Sequence, residues 1–268
     1  MKVIDIHCHV YPLSIGAKAT AAINAFYDVE AEGEVGTRPG DPDTLLARQS
    51  AAGITLSVIL SAAVTPRKVP NINRFIAQTA AESNGKLLGF GTLHPYSETL
   101  DEDIAQLRQL GLRGVKLHPD MQRFALDDPA TIEMVERCGG EFLFLLHTGD
   151  RRFSYSNPPQ LKKLLAACPE TTFIGGHMGG YTLWKEATKE LAGQFHNLYV
   201  DLSSTSFAVT AEEWEDMIRA YGTDRVLYGT DFPMWDPVNE LRKFLALPFT
   251  AGEQADILYN NSAKLLRL

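Results

Sequence analysis

A chain of 268 residues, 45% hydrophobic and 22% charged, has the make-up of a soluble globular protein and is long enough to bury a large core unaided. Its formal net charge of −8, with no cluster of Lys and Arg, argues against nucleic acid or an anionic membrane as partner. Three cysteines, an odd number without framework spacing, point to a reducing compartment. With no leader-like segment before the first strand and no apolar run of spanning length, the cytoplasm is the expected location.

The first stretch, Val3-Ile4-Asp5-Ile6-His7-Cys8-His9, reads as a buried strand that gives way to two histidines at i, i+2. Strand alternation turns His7 and His9 to one face and Cys8 to the other. Two neutral imidazoles side by side can grip a divalent cation such as zinc, although His-x-His alone is more often a polar strand end. In the polar-mixed segment that follows, Ala17–Phe26 has the makings of a helix and Glu30–Gly40 reads as glycine-bearing loop, an insertion suited to a lid or substrate loop. Asp41-Pro42 opens a helix that Gly53 closes. From there strands are predicted at Ile54–Leu60, Leu87–Leu93, Gly114–Leu117, Phe142–Leu146, Thr172–Gly175, Leu198–Leu202 and Arg225–Tyr228. Helices separate them at Asn71–Ser83, Leu100–Leu110, Pro129–Arg137, Gln160–Ala167, Thr182–Leu191 and Ala211–Tyr221, and Val238–Leu245 and Gly252–Leu268 close the chain. Eight strand–helix units predict a parallel sheet closed into a (β/α)8 TIM barrel, a single domain over 1–268. An open doubly wound sheet would normally use fewer strands.

Six of the seven histidines, His7, His9, His94, His118, His147 and His177, end predicted strands, and His196 does not. In a closed barrel these ends converge on one mouth, where barrel enzymes place their chemistry, so the metal reading of His-x-His prevails. His147 and His177 follow apolar or glycine-bearing strands and read as ligand or base, whereas His94 and His118 precede proline and can equally serve their loops. Asp231, in YGTDFP, either completes the site or caps a helix. Lys116 shares a strand face with His118 and either pairs with a carboxylate such as Asp5 or joins the site. Arg151 and Arg152, just past His147, suit a substrate carboxylate. Substrate choice is expected to reside in loops 13–40, 66–70, 120–128 and 151–159.

IDIHCH, GVKLHP, LLHTGD, IGGHMGG, NLYVDLSS and LYGTDFP, in that order, resemble the amidohydrolase superfamily. The closest likeness is to its amidohydrolase-related branch, which includes the aminocarboxymuconate-semialdehyde decarboxylase type, and it runs from residue 3 to the terminal YNNSAKLLRL. The resemblance implies a distorted (β/α)8 barrel with one divalent metal, usually zinc, on His7, His9, His147 and Asp231. His177 would be the acid–base or water-orienting residue, with Asp231 sharing the proton transfer, and Lys116, His118, Arg151 and Arg152 would face the substrate. The activity implied is that of a hydrolase acting through a metal-activated water on a small, carboxylated amide, lactone or ester. Nonoxidative decarboxylation of a small unsaturated or aromatic acid would use the same centre. GVKLHP is also similar to the dihydroorotase-like part of the superfamily, where a carbamylated strand-four lysine, here Lys116, bridges two metals and the second rests on the counterparts of His147 and His177. A TatD-type deoxyribonuclease shares the length and the HCH motif, but its strand-four glutamate motif is replaced by GVKLHP. A decayed, non-catalytic barrel is at odds with a complete ligand set. Barrels of this branch commonly dimerise, so a homodimer is expected.

Overall fold

The computed structural model describes residues 1–27 and 40–268. Eight parallel strands pair in sequence order: β1 (Ile4–His9), β2 (Leu56–Leu60), β3 (Leu87–Thr92), β4 (Gly114–Leu117), β5 (Leu143–Leu146), β6 (Phe173–Gly175), β7 (Leu198–Asp201) and β8 (Val226–Leu227). The two outer edges meet, because Ile6 N–H donates to Tyr228 O at 2.9 Å, Asp231 N–H to His7 O at 2.9 Å and His9 N–H to Phe232 O at 2.7 Å. The sheet is therefore a closed (β/α)8 barrel, and its seam runs between β1 and the chain that leaves β8.

Helix α1 (Gly16–Tyr27) lies over the mouth, and the helices that follow are α2 (Pro42–Ala52), α3 (Val69–Glu82), α4 (Leu100–Gln109), α5 (Pro119–Gln122), α6 (Pro129–Arg137), α7 (Pro158–Ala167), α8 (Trp184–Leu191), α9 (Ala211–Tyr221) and α10 (Pro237–Leu245). Local chemistry sets their ends. Asp41 accepts from Thr44 N–H at 3.0 Å ahead of Pro42 to start α2, and Gly53, at φ 68°, ends it. The predicted closing helix is interrupted: α11 (Ala251–Ala255) passes through a wide turn at Asp256–Asn260 into α12 (Asn261–Leu266). Asn261 Nδ2, donating to Val226 O at 2.9 Å and Thr223 O at 2.7 Å, ties that turn to β8. The expected loop at Glu30–Gly40 lies, Gly40 aside, outside the described residues. Among the described residues no helix is long and apolar enough to cross a membrane.

One irregularity decides what faces inward. Ile4 and Ile6 belong to the apolar cluster inside the barrel, with Val58, Phe90, Leu145, Ile174 and Leu227, while Ala263 and Leu266 of α12 close the N-terminal end. Uninterrupted alternation would carry Cys8 inward as well. The pairing with β2 instead slips between Asp5 and Cys8, a β-bulge, so Cys8 joins the outer layer under the helices and His7 and His9 turn inward. Asp5 fills the bulge, accepting from His7 N–H at 3.2 Å, from Thr230 N–H at 3.0 Å and from Thr230 Oγ1 at 2.6 Å.

Candidate metal centre and its cavity

Because Asp231 pairs by backbone with His7 across the seam, its carboxylate reaches the two imidazoles of β1. Gly229 permits the approach: a Cβ there would sit 3.1 Å from His7 Cβ. His7 Nε2 and His9 Nε2 are 3.2 Å apart, and Asp231 Oδ1 lies 3.5 Å from the former and 3.3 Å from the latter. Donors about 2.0–2.1 Å from a tetrahedral cation lie about 3.3–3.4 Å from one another, so the three atoms already have the spacing of one face of a zinc-sized site. Their chemistry fits too. Burial brings the pKa of His7 down to about 4 and lowers that of His9, leaving neutral nitrogen donors. Burial alone would raise the Asp231 carboxyl, but His7, His9 and His177 outweigh it and hold the group well below the usual carboxylate range.

A second ring of residues orients these donors. His7 Nδ1 lies 2.9 Å from Asp201 Oδ2 and 3.0 Å from Ser203 Oγ; donation to the carboxylate leaves the Nε2 lone pair facing the centre. Burial alone would raise the Asp201 carboxyl, but His7 and His177 beside it and the hydrogen bonds from His7 and Ser203 hold it well below the usual carboxylate range. Ser204 Oγ donates to Asp231 Oδ2 at 2.5 Å and itself accepts from Trp235 Nε1 at 2.7 Å. Asp231 stands at φ 58° and His177 at φ 58°, left-handed backbone that non-glycine residues adopt where surrounding contacts impose it.

Lys116 is completely buried, with Nζ 2.9 Å from His7 Nε2. Burial brings its ammonium down to about 8 against the pull of Asp231 and Asp201. The pairing with Asp5 weighed from the sequence does not form, since the Asp5 oxygens are taken by Thr230 and the bulge. His177 bonds through Nδ1 to Ser203 O at 3.2 Å, which can only accept, so its Nε2 carries the lone pair and meets His147 Nδ1 at 2.9 Å. His147 thus stands one ring beyond His177, and its Nε2 lies 3.4 Å from Asp120 Oδ2. His118, Asp120 and His147 form a further group of possible ligands. It chelates poorly, because the His118 and His147 rings stack at 4.0 Å and 6°, which sends their in-plane lone pairs parallel rather than to one point. Tyr27, from α1, sets its hydroxyl 2.6 Å from His118 Nε2 and 3.3 Å from His147 Nδ1.

Above this floor opens a cavity of about 510 Å³, lined by His9, His118, His147, His177 and Asp231 below and by α1 and α3 at the sides. Of the four loops expected to select substrate, the first supplies Ile15, Ala19, Ile23 and Tyr27, the second Lys68 and the third Met121. The fourth supplies none. Arg151 is exposed and donates to Glu186 at 3.2 Å and to Thr182 O at 3.0 Å. Arg152 is held by Asp150 at 2.7 Å and lies over the Phe26 and Tyr27 rings at 5.1 and 5.6 Å, bracing α1 from outside the cavity. Of the four residues expected at the substrate, only His118 lines the cavity. His94 turns to its own loop, accepting from Tyr96 N–H at 3.3 Å and packing on Phe124. Asp201, Ser203, Ser204, Asp120 and Tyr27 are site residues that the sequence reading missed. Asp201 ends β7 as the histidines end theirs, and extending the strand-end test to carboxylates finds it; nothing local marks Tyr27.

No curated protein matches the chain. Solved structures do. A TIM-barrel protein from Bordetella bronchiseptica superposes with a TM-score of 0.77 at 20% identity, covering 100% of this chain and 99% of that one. A 5-carboxyvanillate decarboxylase from Novosphingobium aromaticivorans, with bound manganese, gives 0.74 at 17% identity over 99% and 97%. A structure described as a putative 2-pyrone-4,6-dicarboxylic acid hydrolase from Pseudomonas putida gives 0.66 at 19% identity over 99% and 97%. These likenesses bear out the barrel. The family model for amidohydrolases matches residues 4–268, nearly the whole length, and with the strand-end site it places this chain in the amidohydrolase family of enzymes.

Proposed function

We propose that the protein is a metal-dependent hydrolase acting on a small, carboxylated amide, lactone or ester, with one divalent cation, zinc for preference, held by His7, His9 and Asp231. The observation that carries this reading is the triangle of donor atoms at 3.2, 3.3 and 3.5 Å. His147, the fourth ligand implied by the family resemblance, belongs to the same floor but stands one ring beyond His177, outside the donor triangle. When bound, such a cation acidifies a water molecule and polarises a carbonyl. The chain's own residues do the rest. Asp201 and Ser203 lock His7 in the tautomer that offers Nε2, and His177 Nε2, with its lone pair free of backbone partners, takes up and returns a proton at the floor. His118 and the Tyr27 hydroxyl are placed to hold a substrate oxygen, and the apolar side walls exclude water from it. We assign the enzyme to the cytoplasm and to a homodimer.

Two further readings each rest on an observation. Nonoxidative decarboxylation of an aromatic acid uses the same floor and is supported by the 5-carboxyvanillate decarboxylase among the similar structures. Release of carbon dioxide from candidate acids, against base uptake during ester or lactone cleavage, separates the two. A carbamate on Lys116 bridging two metals is supported by the burial that brings the amine down to about 8. Metal analysis combined with intact mass tests the main reading: one metal per chain and no added mass is expected, whereas two metals and a carbamate on Lys116, or no metal, would overturn it.

A further inference from the structure

The cavity has a chemical gradient that the reaction centre does not need. Its floor is polar, but Ile15, Ala19 and Ile23 of the first insertion face it from one side and Ile72 and Phe75 of α3 from the other. At the rim stands Lys68, the only Lys or Arg among the described lining residues. It forms no ion pair with any described residue, and it sits immediately before a helix of 14 residues that has no acidic residue in its first turn. A cation at that end of a helix is opposed by the macrodipole, so the fold gains nothing from it. The arginines expected to read a carboxylate are turned away from the cavity.

We infer that the substrate is an amphipathic anion: a polar reacting group at the histidine floor, an apolar body between α1 and α3, and an anionic end at Lys68 Nζ, which makes Lys68 the specificity residue. The inference rests on the floor being the reaction centre proposed above. An apolar wall of this kind contributes affinity in proportion to the area it covers, and an exposed ammonium contributes a modest preference for a negative end.

Binding of three probes to the full-length protein, with metal content measured on the same samples, tests it. The probes are 4-phenylbutyrate, butyrate and 4-phenylbutan-1-ol, titrated into wild type, Lys68→Gln and Lys68→Arg. Phenylbutyrate is expected to bind at least about tenfold tighter than butyrate, through its apolar body. It is expected to bind about fivefold tighter than the alcohol, an advantage that Lys68→Gln removes and Lys68→Arg keeps. Equal binding of butyrate and phenylbutyrate would overturn the inference. So would a carboxylate preference that survives in Lys68→Gln, which would place the anion on the floor, or no binding of any probe. Metal bound without this discrimination refutes the inference and leaves the metal centre standing; discrimination without metal supports the inference and refutes the metal centre.

Discussion

The lower and upper halves of the barrel interior are built on the same strands and are both buried, but they are held together by different means. Below, Ile4, Ile6, Val58, Phe90, Leu145, Ile174 and Leu227 meet α12, and burial of apolar area is the whole of the attraction. Above, His7, Lys116 and Asp201 are each fully buried, and each carries a polar partner within 2.9 Å. A buried charge without its partner costs several kcal/mol, so the upper half persists only as a connected set, over a lower half that supplies the stability. The bulge in β1 is the boundary between the two regimes.

That contrast can be broken from either side. Asp231→Ala removes the carboxylate from the donor triangle; metal content per chain should fall to background and turnover by on the order of 10³-fold, read by metal analysis and steady-state kinetics. Phe90→Ala cuts into the lower half instead. It should cost about 3–5 kcal/mol in denaturant unfolding, while the molecules that remain folded keep their metal. Asp201→Asn probes the support of the upper half: the fold stays, but metal affinity should weaken about 10–100-fold in competition with a chelator. The smallest effect is expected from Tyr27→Phe, which leaves metal content unchanged and raises KM by roughly fivefold, the worth of one hydrogen bond near 1 kcal/mol. Wild-type metal content in Asp231→Ala, or metal loss in Phe90→Ala, would erase the distinction between the halves.

Much of this was legible in the sequence because periodicity and position are local signals. Strand order, the closed barrel and the placing of His7, His9, His147, His177 and Asp231 at strand ends follow from apolar runs followed by titratable residues. What escaped depends on tertiary context. The bulge that turns His7 inward is invisible in IDIHCH, since alternation read from Ile4 and alternation read from His7 disagree and only the pairing with β2 decides. Tyr27 reaches the floor because α1 folds back over the mouth, a choice no pattern in 16–27 announces. Arg151 and Arg152 share a loop with the expected substrate side, yet Glu186 and Asp150 claim them, and partners distant in sequence or set by loop shape cannot be read from spacing. Spacing likewise leaves Lys116 open between Asp5 and the site, and only the fold settles it beside His7.

The central claim is that atoms from β1 and from the chain beyond β8 share one cation. Diffraction from zinc-loaded crystals at the zinc absorption edge tests it most directly. A single anomalous peak about 2.0–2.2 Å from His7 Nε2, His9 Nε2 and Asp231 Oδ1 is expected. A peak elsewhere, or full occupancy of these three side chains with no cation among them, would contradict it.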